Sequence, residues 1–244
     1  MKTVIIVQAR MTSTRLPGKV LKEVLGKPLL EYQIERLKRV KLADDVIIAT
    51  TENTTDLPVV ALCEKLKVNY FRGSEHDVLA RYYHAAKCYE AGIVIRITAD
   101  CPVIDPQIVD NIIRFYIDNR NVYDYVSTGD DSYPRGMNTE VFSFKVLEEA
   151  FVYAVKEYER EHVTPYMYQH PEKYKVGILP YKEDESQHRW TVDTPEDFAL
   201  IKKIIENLYP LKKDFDLEDC LALVNRYPEW SQINEHVKQK KLGE

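Results

Sequence analysis

Residues 3–19 read Thr3-Val4-Ile5-Ile6-Val7-Gln8-Ala9-Arg10-Met11-Thr12-Ser13-Thr14-Arg15-Leu16-Pro17-Gly18-Lys19, an apolar run that gives way to a polar, cationic stretch. The β-prone run predicts a short buried strand. From Gln8 to Pro28 the charges are Arg10, Arg15, Lys19, Lys22 and Lys27, opposed only by Glu23. In an open α/β sheet, ligands bind in the crevice beyond the carboxyl ends of the strands. A cationic loop in that place, with hydroxyls and a glycine that admits close backbone approach, suits a polyphosphate. It is not a Walker A loop, because position 13, where that pattern needs glycine, is serine. Loop chemistry alone leaves open a solvated basic turn after an edge strand.

Working outward, strand and helix signals alternate. Pro28 opens a helical pattern with Leu30, Ile34 and Leu37 on one face. Strands are predicted at Val46–Thr50, Val68–Phe71 and Ile93–Ile97, with helices at Pro58–Lys67 and Val78–Ala91. Such repeated strand–helix–strand units call for a mainly parallel sheet with helices on both faces. In the second half, strands are predicted at Tyr123–Ser127, Met137–Phe144, Tyr174–Leu179 and Arg189–Val192. The alternation within Met137–Phe144 marks it as half-exposed and antiparallel. Helices are predicted at Leu147–Tyr158 and, behind the cap-like Thr194, at Pro195–Leu208. The tail from Asp216 to Lys240 reads as two short helices broken near Pro228. The fold class is α/β, Rossmann-like, with a mostly parallel mixed sheet and a small antiparallel extension.

Composition bounds the function. The 244 residues suffice for a sizeable core, and 45% hydrophobic with 30% charged residues is ordinary for a globular chain. A net charge of −5 argues against a general nucleic-acid or membrane-surface binder, so the basic loop is a local feature. Cys63, Cys88, Cys101 and Cys220 form no Cys-x-x-Cys pair. The six histidines show no zinc spacing, and there is no Gly-x-Ser-x-Gly elbow. No apolar run approaches the roughly 20 residues of a membrane span, and no leader pattern precedes the first strand, so the expected location is the cytoplasm.

Two aspartates stand at strand ends. Asp100 follows Ile93–Ile97 and precedes Pro102; Asp193 follows Arg189–Val192 and precedes a helix. Facing one crevice, they would offer a hard divalent cation such as Mg²⁺ the oxygen ligands it prefers. Local roles fit as well, Asp193 as a helix cap and Asp100 as a turn former.

The N-terminal loop also resembles a known signature. Ala9-Arg10, Ser13 and Arg15-Leu16-Pro17-Gly18-Lys19 are similar to the start of the cytidylyltransferases that make CMP-activated acidic sugars, the CMP-ketodeoxyoctonate and CMP-sialic acid synthetases among them. The branch resembled most is that of spore-coat polysaccharide biosynthesis protein F. The resemblance continues through Arg72-Gly73-Ser74, Ile97–Pro102, Glu161–Tyr166 and Trp190–Asp197, in the family's order. It implies a nucleotide-diphospho-sugar transferase fold in a single nucleotidyltransferase domain over 1–244. Residues 1–120 would be the nucleotide-binding half, 121–190 the acceptor and dimerisation region, and 191–244 the metal-site turn and C-terminal helices.

The implied reaction is transfer of CMP from CTP to an acidic sugar, with release of pyrophosphate, for a surface polysaccharide. Arg10, Arg15 and Lys19 would grip the triphosphate, Ser13 would donate to a phosphate oxygen, and the Gln8-Ala9 backbone would lie near the base. Arg72 and Ser74 would wall the base pocket, although His76 departs from the acidic residue usual beside them. Arg10, Lys19 and Asp100 are the implied catalytic residues, and Asp100 and Asp193 match the family's metal pair for Mg²⁺. Arg135, Asn138 and His162 are the implied acceptor contacts, Arg135 toward a carboxylate. The family implies a homodimer. Two rivals are a glycosyltransferase using a nucleotide-sugar and a non-catalytic nucleotide-sugar sensor. The first lacks its paired Asp-x-Asp motif here, since the sequence is Asp100-Cys101-Pro102, and the second has no need of two strand-end aspartates.

Overall fold

Every residue from Val4 to Val7 is fully buried, and the alternation of a strand sends them to opposite sides. Ile5 and Val7 join one hydrophobic cluster while Val4 and Ile6 join another, so β1 (Thr3–Gln8) lies between two cores. The computed structural model describes residues 1–239. Next along the chain, β2 (Glu23–Val24) and β3 (Lys27–Pro28) form a two-stranded hairpin that the sequence reading did not foresee. Leu25 and Gly26 both take positive φ, 50° and 72°, as a tight two-residue hairpin turn demands.

Then follow α1 (Leu29–Leu37), β4 (Asp45–Thr51), α2 (Leu57–Leu66), β5 (Asn69–Gly73), α3 (Val78–Cys88), β6 (Ile93–Thr98) and α4 (Pro106–Asn119). The second half contains β7 (Tyr125–Ser127), β8 (Glu140–Ser143), α5 (Phe144–Tyr153), α6 (Glu157–His162), α7 (Pro165–Tyr168), β9 (Val176–Ile178), α8 (Pro195–Leu208) and α9 (Leu217–Arg226). The sheet runs β5-β4-β1-β6-β8-β7-β9. β5, β4, β1 and β6 pair in parallel, and β8 enters antiparallel beside β6 as expected, but it is not half-exposed: Val141 and Phe142 are fully buried, one in each core. Helices α1, α2, α4, α8 and α9 cover one face; α3 and α5 cover the other.

Two boundaries differ for physical reasons. The helix predicted over Leu147–Tyr158 starts at Phe144, where the Ser143 hydroxyl caps it, and ends at Tyr153; a new helix opens at Glu157. Arg189–Val192 is no strand of the sheet: Arg189 makes an isolated parallel bridge to Arg135, and the Val192 N–H donates to the Asp100 carbonyl at 2.8 Å. The tail follows the prediction as α9 and a 3₁₀ turn over Pro228–Ile233; Lys240 lies outside the described residues.

Helix α4 was also not foreseen, although Asp105-Pro106 announces it. The Asp105 carboxylate accepts from the Gln107 N–H at 2.7 Å, and its other oxygen accepts from the Leu217 N–H at 2.9 Å, tying α9 to α4. Asp105→Ala leaves the buried Leu217 amide without its partner, which costs about 1–3 kcal/mol, and uncaps α4 at the Gln107 amide. The expected result is a lower urea midpoint at an unchanged denaturant slope; an unchanged midpoint removes Asp105 as the link between these helices.

Candidate active site

The strand order reverses beside β1: β4 and β5 lie on one side of it and β6 on the other, so the crevice opens beyond the carboxyl ends of β1 and β6. Gln8 and Thr98 are register partners there, and the Ala99 N–H donates to the Gln8 carbonyl at 3.1 Å. Residues 9–18 fold over this end as a closed loop. Leu16 anchors it in the core, the Gly18 N–H closes it onto the Met11 carbonyl at 2.9 Å, and Gly18 itself sits at φ 68°. Its base is held by Asp56, fully buried, which accepts from the Met11 N–H at 2.7 Å and from the Thr51 N–H and hydroxyl.

The loop delivers Lys19 between two carboxylates. Its ammonium lies 2.7 Å from Asp193 Oδ1 and 3.3 Å from Asp100 Oδ2. Asp193 Oδ2 accepts from Arg15 and from Arg189, each at 2.9 Å. Two acids, Asp100 just beyond β6 and Asp193 just before α8, are therefore met by three cations. Burial works against the charged form of Asp100, and the Lys19 ammonium and Cys101 thiol overcome it, holding the carboxyl well below its ordinary value. Burial likewise works against the Lys19 charge, and the two carboxylates raise its pKa above the ordinary lysine value. Each charge is stable here because the others are present.

Asp193 is locked from behind by Asp197, a residue no sequence pattern singled out beyond the first turn of its helix. Asp197 is fully buried and accepts from Arg189 Nε and Nη2 at 2.9 and 3.1 Å, from the Asp193 N–H at 2.9 Å and from Asn234 Nδ2 at 2.9 Å. Gly136 joins this segment to the loop before β8. Its φ is 111°, and a Cβ there would lie 2.7 Å from the Trp190 carbonyl. That close approach lets the Arg135 N–H reach the His188 carbonyl at 2.9 Å and the Trp190 N–H reach the Arg135 carbonyl at 2.7 Å.

One cavity of about 650 Å³ gathers Gln8, Arg15, Asp100 and Asp193 with Arg135, Asn138 and His162. Among the described residues the Arg135 guanidinium has only a loose partner, Asp130 at 3.9 Å, and Asn138 Nδ2 donates to the same carboxylate at 3.1 Å. Burial lowers the His162 pKa, Glu161 opposing and nearby Arg96 adding to the effect, so the ring stands neutral at pH 7. Other expected residues lie apart. Arg10 faces Glu75 at 3.8 Å, and Glu75 also binds the Thr12 hydroxyl and the Asn53 amide, closing the loop's far side. Arg72 spends its donors on the carbonyls of Thr51, Glu52 and Asn53, clasping the turn after β4. Ser74 is exposed, and its hydroxyl accepts from the Asp77 N–H at 3.0 Å. Ala9 is buried with its N–H on the Ala49 carbonyl at 3.1 Å, and Ser13 is half-buried.

Comparison with known proteins decides the family. The cytidylyltransferase family matches residues 4–222. The chain belongs to the cytidylyltransferase family. It is a CTP-dependent nucleotidyltransferase, which separates it from the glycosyltransferase and sensor readings. It is 34% identical, over 92% of its length and 94% of the relative's, to the spore coat polysaccharide biosynthesis protein SpsF of Bacillus subtilis. A cytidylyltransferase structure from Leptospira borgpetersenii superposes with a TM-score of 0.91 at 34% identity, covering 99% of this chain and 100% of that one. CMP:2-keto-3-deoxy-manno-octonic acid synthetase, solved with CTP, shares the fold at a TM-score of 0.66 and 17% identity over 84% of this chain and 99% of its own.

The buried pairing behind the acids gives a prediction for this cytidylyltransferase. Asp197→Ala strands the Arg189 guanidinium and the Asp193 amide, and breaking a buried pair costs about 3–5 kcal/mol. A fall of that size in unfolding free energy, with easier proteolysis between residues 186 and 200, is expected; wild-type stability would relegate Asp197 to an ordinary capping residue.

Proposed function

We propose that this enzyme transfers CMP from CTP to a hydroxyl of an acidic sugar, with release of pyrophosphate, for a surface polysaccharide. The observation that carries the reading is the seating of Lys19 between Asp100 and Asp193, with Arg15 beside them, at the mouth of the β1–β6 crevice in a chain of this family. The acceptor oxygen bonds to the α-phosphorus as the bond to pyrophosphate breaks, and the hydroxyl proton passes to solvent. Such a step asks for positioning and charge neutralisation more than for covalent chemistry. Arg10, Arg15 and Lys19 supply positive charge for the outer phosphates, the arginines as forks and Lys19 as a point charge. Ser13 donates to a phosphate oxygen, the Gln8-Ala9 backbone lies by the cytosine, and Arg72 and Ser74 shape that side through the turn they hold.

The donor set fits Mg²⁺. Both groups are carboxylates, and a lysine nitrogen already stands between their oxygens, which makes the place one that calls for a cation. Among the described residues no three His, Cys, Asp or Glu side chains cluster, so Asp100 and Asp193 would hold the ion together with substrate oxygens and water. When bound, the ion supplies charge for the phosphates and lowers the pKa of a nearby hydroxyl. On the acceptor side, Arg135 is the candidate carboxylate partner, with Asn138 and His162 beside it. A cytoplasmic homodimer formed through the second-half strands completes the proposal: β9 pairs on one side only, and Ile178 on it is 55% exposed. Among the described residues no helix is long and apolar enough to cross a membrane.

Pyrophosphate release across a panel of nucleotides and acidic sugars with Mg²⁺ tests the reaction. Arg15→Ala or Lys19→Ala should weaken CTP far more than CMP, because their partners are the outer phosphates. A charge-assisted hydrogen bond is worth about 1.5–3 kcal/mol, so calorimetry should show about a ten- to hundredfold loss for CTP. Equal losses for CMP and CTP would move both residues away from the leaving group.

Arg135→Ala should raise the acceptor KM with little effect on CTP, and Arg135→Lys should recover only part, since lysine lacks the fork. Unaltered acceptor kinetics, or a neutral sugar as best acceptor, would refute the acidic-sugar assignment alone.

A further inference from the structure

In the same cavity as Asp100 and Asp193 lies a largely buried polar group, its two charged side chains each 14% exposed, to which the reaction above gives no part. Glu140, at the start of β8, receives an ion pair from Arg96 on β6, directly across the antiparallel register. Glu140 Oε1 also accepts from the Tyr125 hydroxyl at 2.5 Å and the Thr164 hydroxyl at 2.6 Å. Arg96 donates through its remaining Nη to Gln8 Oε1 at 3.3 Å. All five side chains line the same cavity as Asp100 and Arg135. The five come from five separate stretches of chain, and the motif Glu161-His162-Val163-Thr164-Pro165 contributes one of them.

Its chemistry points to a ligand class. A carboxylate has about four acceptor positions, of which three are filled here, so one remains for a donor from the cavity. A guanidinium only donates, so Arg96 fixes the Gln8 amide with its oxygen inward and leaves its NH₂ group for the cavity that Gln8 lines. The floor is therefore net neutral, offering one acceptor and fixed donors at short range. That suits vicinal hydroxyls or an amide on a sugar ring. It repels a carboxylate, which would meet Glu140, and so sends the acid group of the acceptor toward Arg135.

Backbone strain marks the same spot. Val163, fully buried between His162 and Thr164, holds φ at 72°, a conformation a β-branched residue adopts only where its surroundings impose it. That kink turns Thr164 onto Glu140 and leaves His162 on the cavity wall. Strain of this kind gathers at ligand sites.

We propose that the Arg96–Glu140 pair is the specificity-determining floor of the acceptor subsite, reading the neutral polar face of the sugar directly and orienting the Gln8 side chain as a donor to it. This rests on the acceptor-transfer reading above and deepens it. Gln8 then contributes its backbone to the nucleotide and its side chain to the acceptor.

The test separates recognition from folding. Glu140→Gln leaves Arg96 buried without its counter-charge, whereas Arg96→Met/Glu140→Leu replaces the pair by apolar groups of similar size, which proteins commonly tolerate. For both variants, the thermal midpoint, the CTP Kd by calorimetry, and the KM and kcat for the best sugar in the panel are measured. The acceptor KM should rise at least tenfold in both, with the CTP Kd within twofold of wild type and the double variant's midpoint at or above that of Glu140→Gln. Wild-type acceptor KM in the double variant overturns the proposal, since the pair would then serve packing alone. If a neutral sugar is the best acceptor, the acidic assignment falls while that sugar still reports on the floor. If no sugar releases pyrophosphate, both readings fall.

Discussion

Two carboxylates cannot share a partly buried crevice unless cations sit between them, and this molecule is arranged around that constraint. Lys19 bridges Asp100 and Asp193 at 3.3 and 2.7 Å, and Arg15 and Arg189 take the remaining Asp193 oxygen. The charges are mutually dependent, so none of them can be assigned a separate energetic worth. The same arrangement makes the crevice responsive to a polyanion. On the proposed reading, a triphosphate would offer the cations new partners, and the carboxylates, once released, would be left as oxygen donors for a metal.

Support for this cluster extends well behind it. Asp56 holds the base of the basic loop, Asp197 holds Asp193 and Arg189, and Asn234 joins the C-terminal turn to both the Arg189 carbonyl at 2.9 Å and Asp197. Gly136 brings the loop before β8 against the same backbone. The basic loop, the Asp100–Asp193 cluster and the loop before β8 thus share one hydrogen-bonded frame. Displacement of the 189–193 segment must therefore be felt on both sides of the crevice.

How far the sequence revealed this depends on the range of the interactions. β1 was legible because a strand buried on both faces carries an unbroken apolar run, and the basic loop because its charges are nearly all of one sign within a short stretch. Asp100 and Asp193 were legible from their positions at the ends of apolar segments. Asp56, Arg96, Glu140 and Asp197 were not, since each looks like an ordinary turn, strand or helix-start residue until distant partners arrive. Arg96 and Glu140 meet across 44 positions, and Met11 and Asp56 across 45. Helix α4 is a different case: Asp105-Pro106 and the spacing of Ile108, Val109, Ile112 and Ile113 carried the local signal. The missing part of Arg189–Val192 is physical too. Its apolar content comes from packing Trp190 and Val192 into the core, not from membership in the sheet.

The contact between Lys19 and Asp193 spans 174 positions. During synthesis the amino-terminal strands emerge first, at about 5–20 residues per second. The sheet can nucleate on β1 and β4 well before α8 exists, and the basic loop is then a set of positive charges without its acidic counterpart. Until the 189–197 segment docks, the crevice has neither its second carboxylate nor the clasp that orients it. On the proposed reading, catalytic competence would be deferred to the last stage of folding, and an unfinished chain would not spend nucleotide.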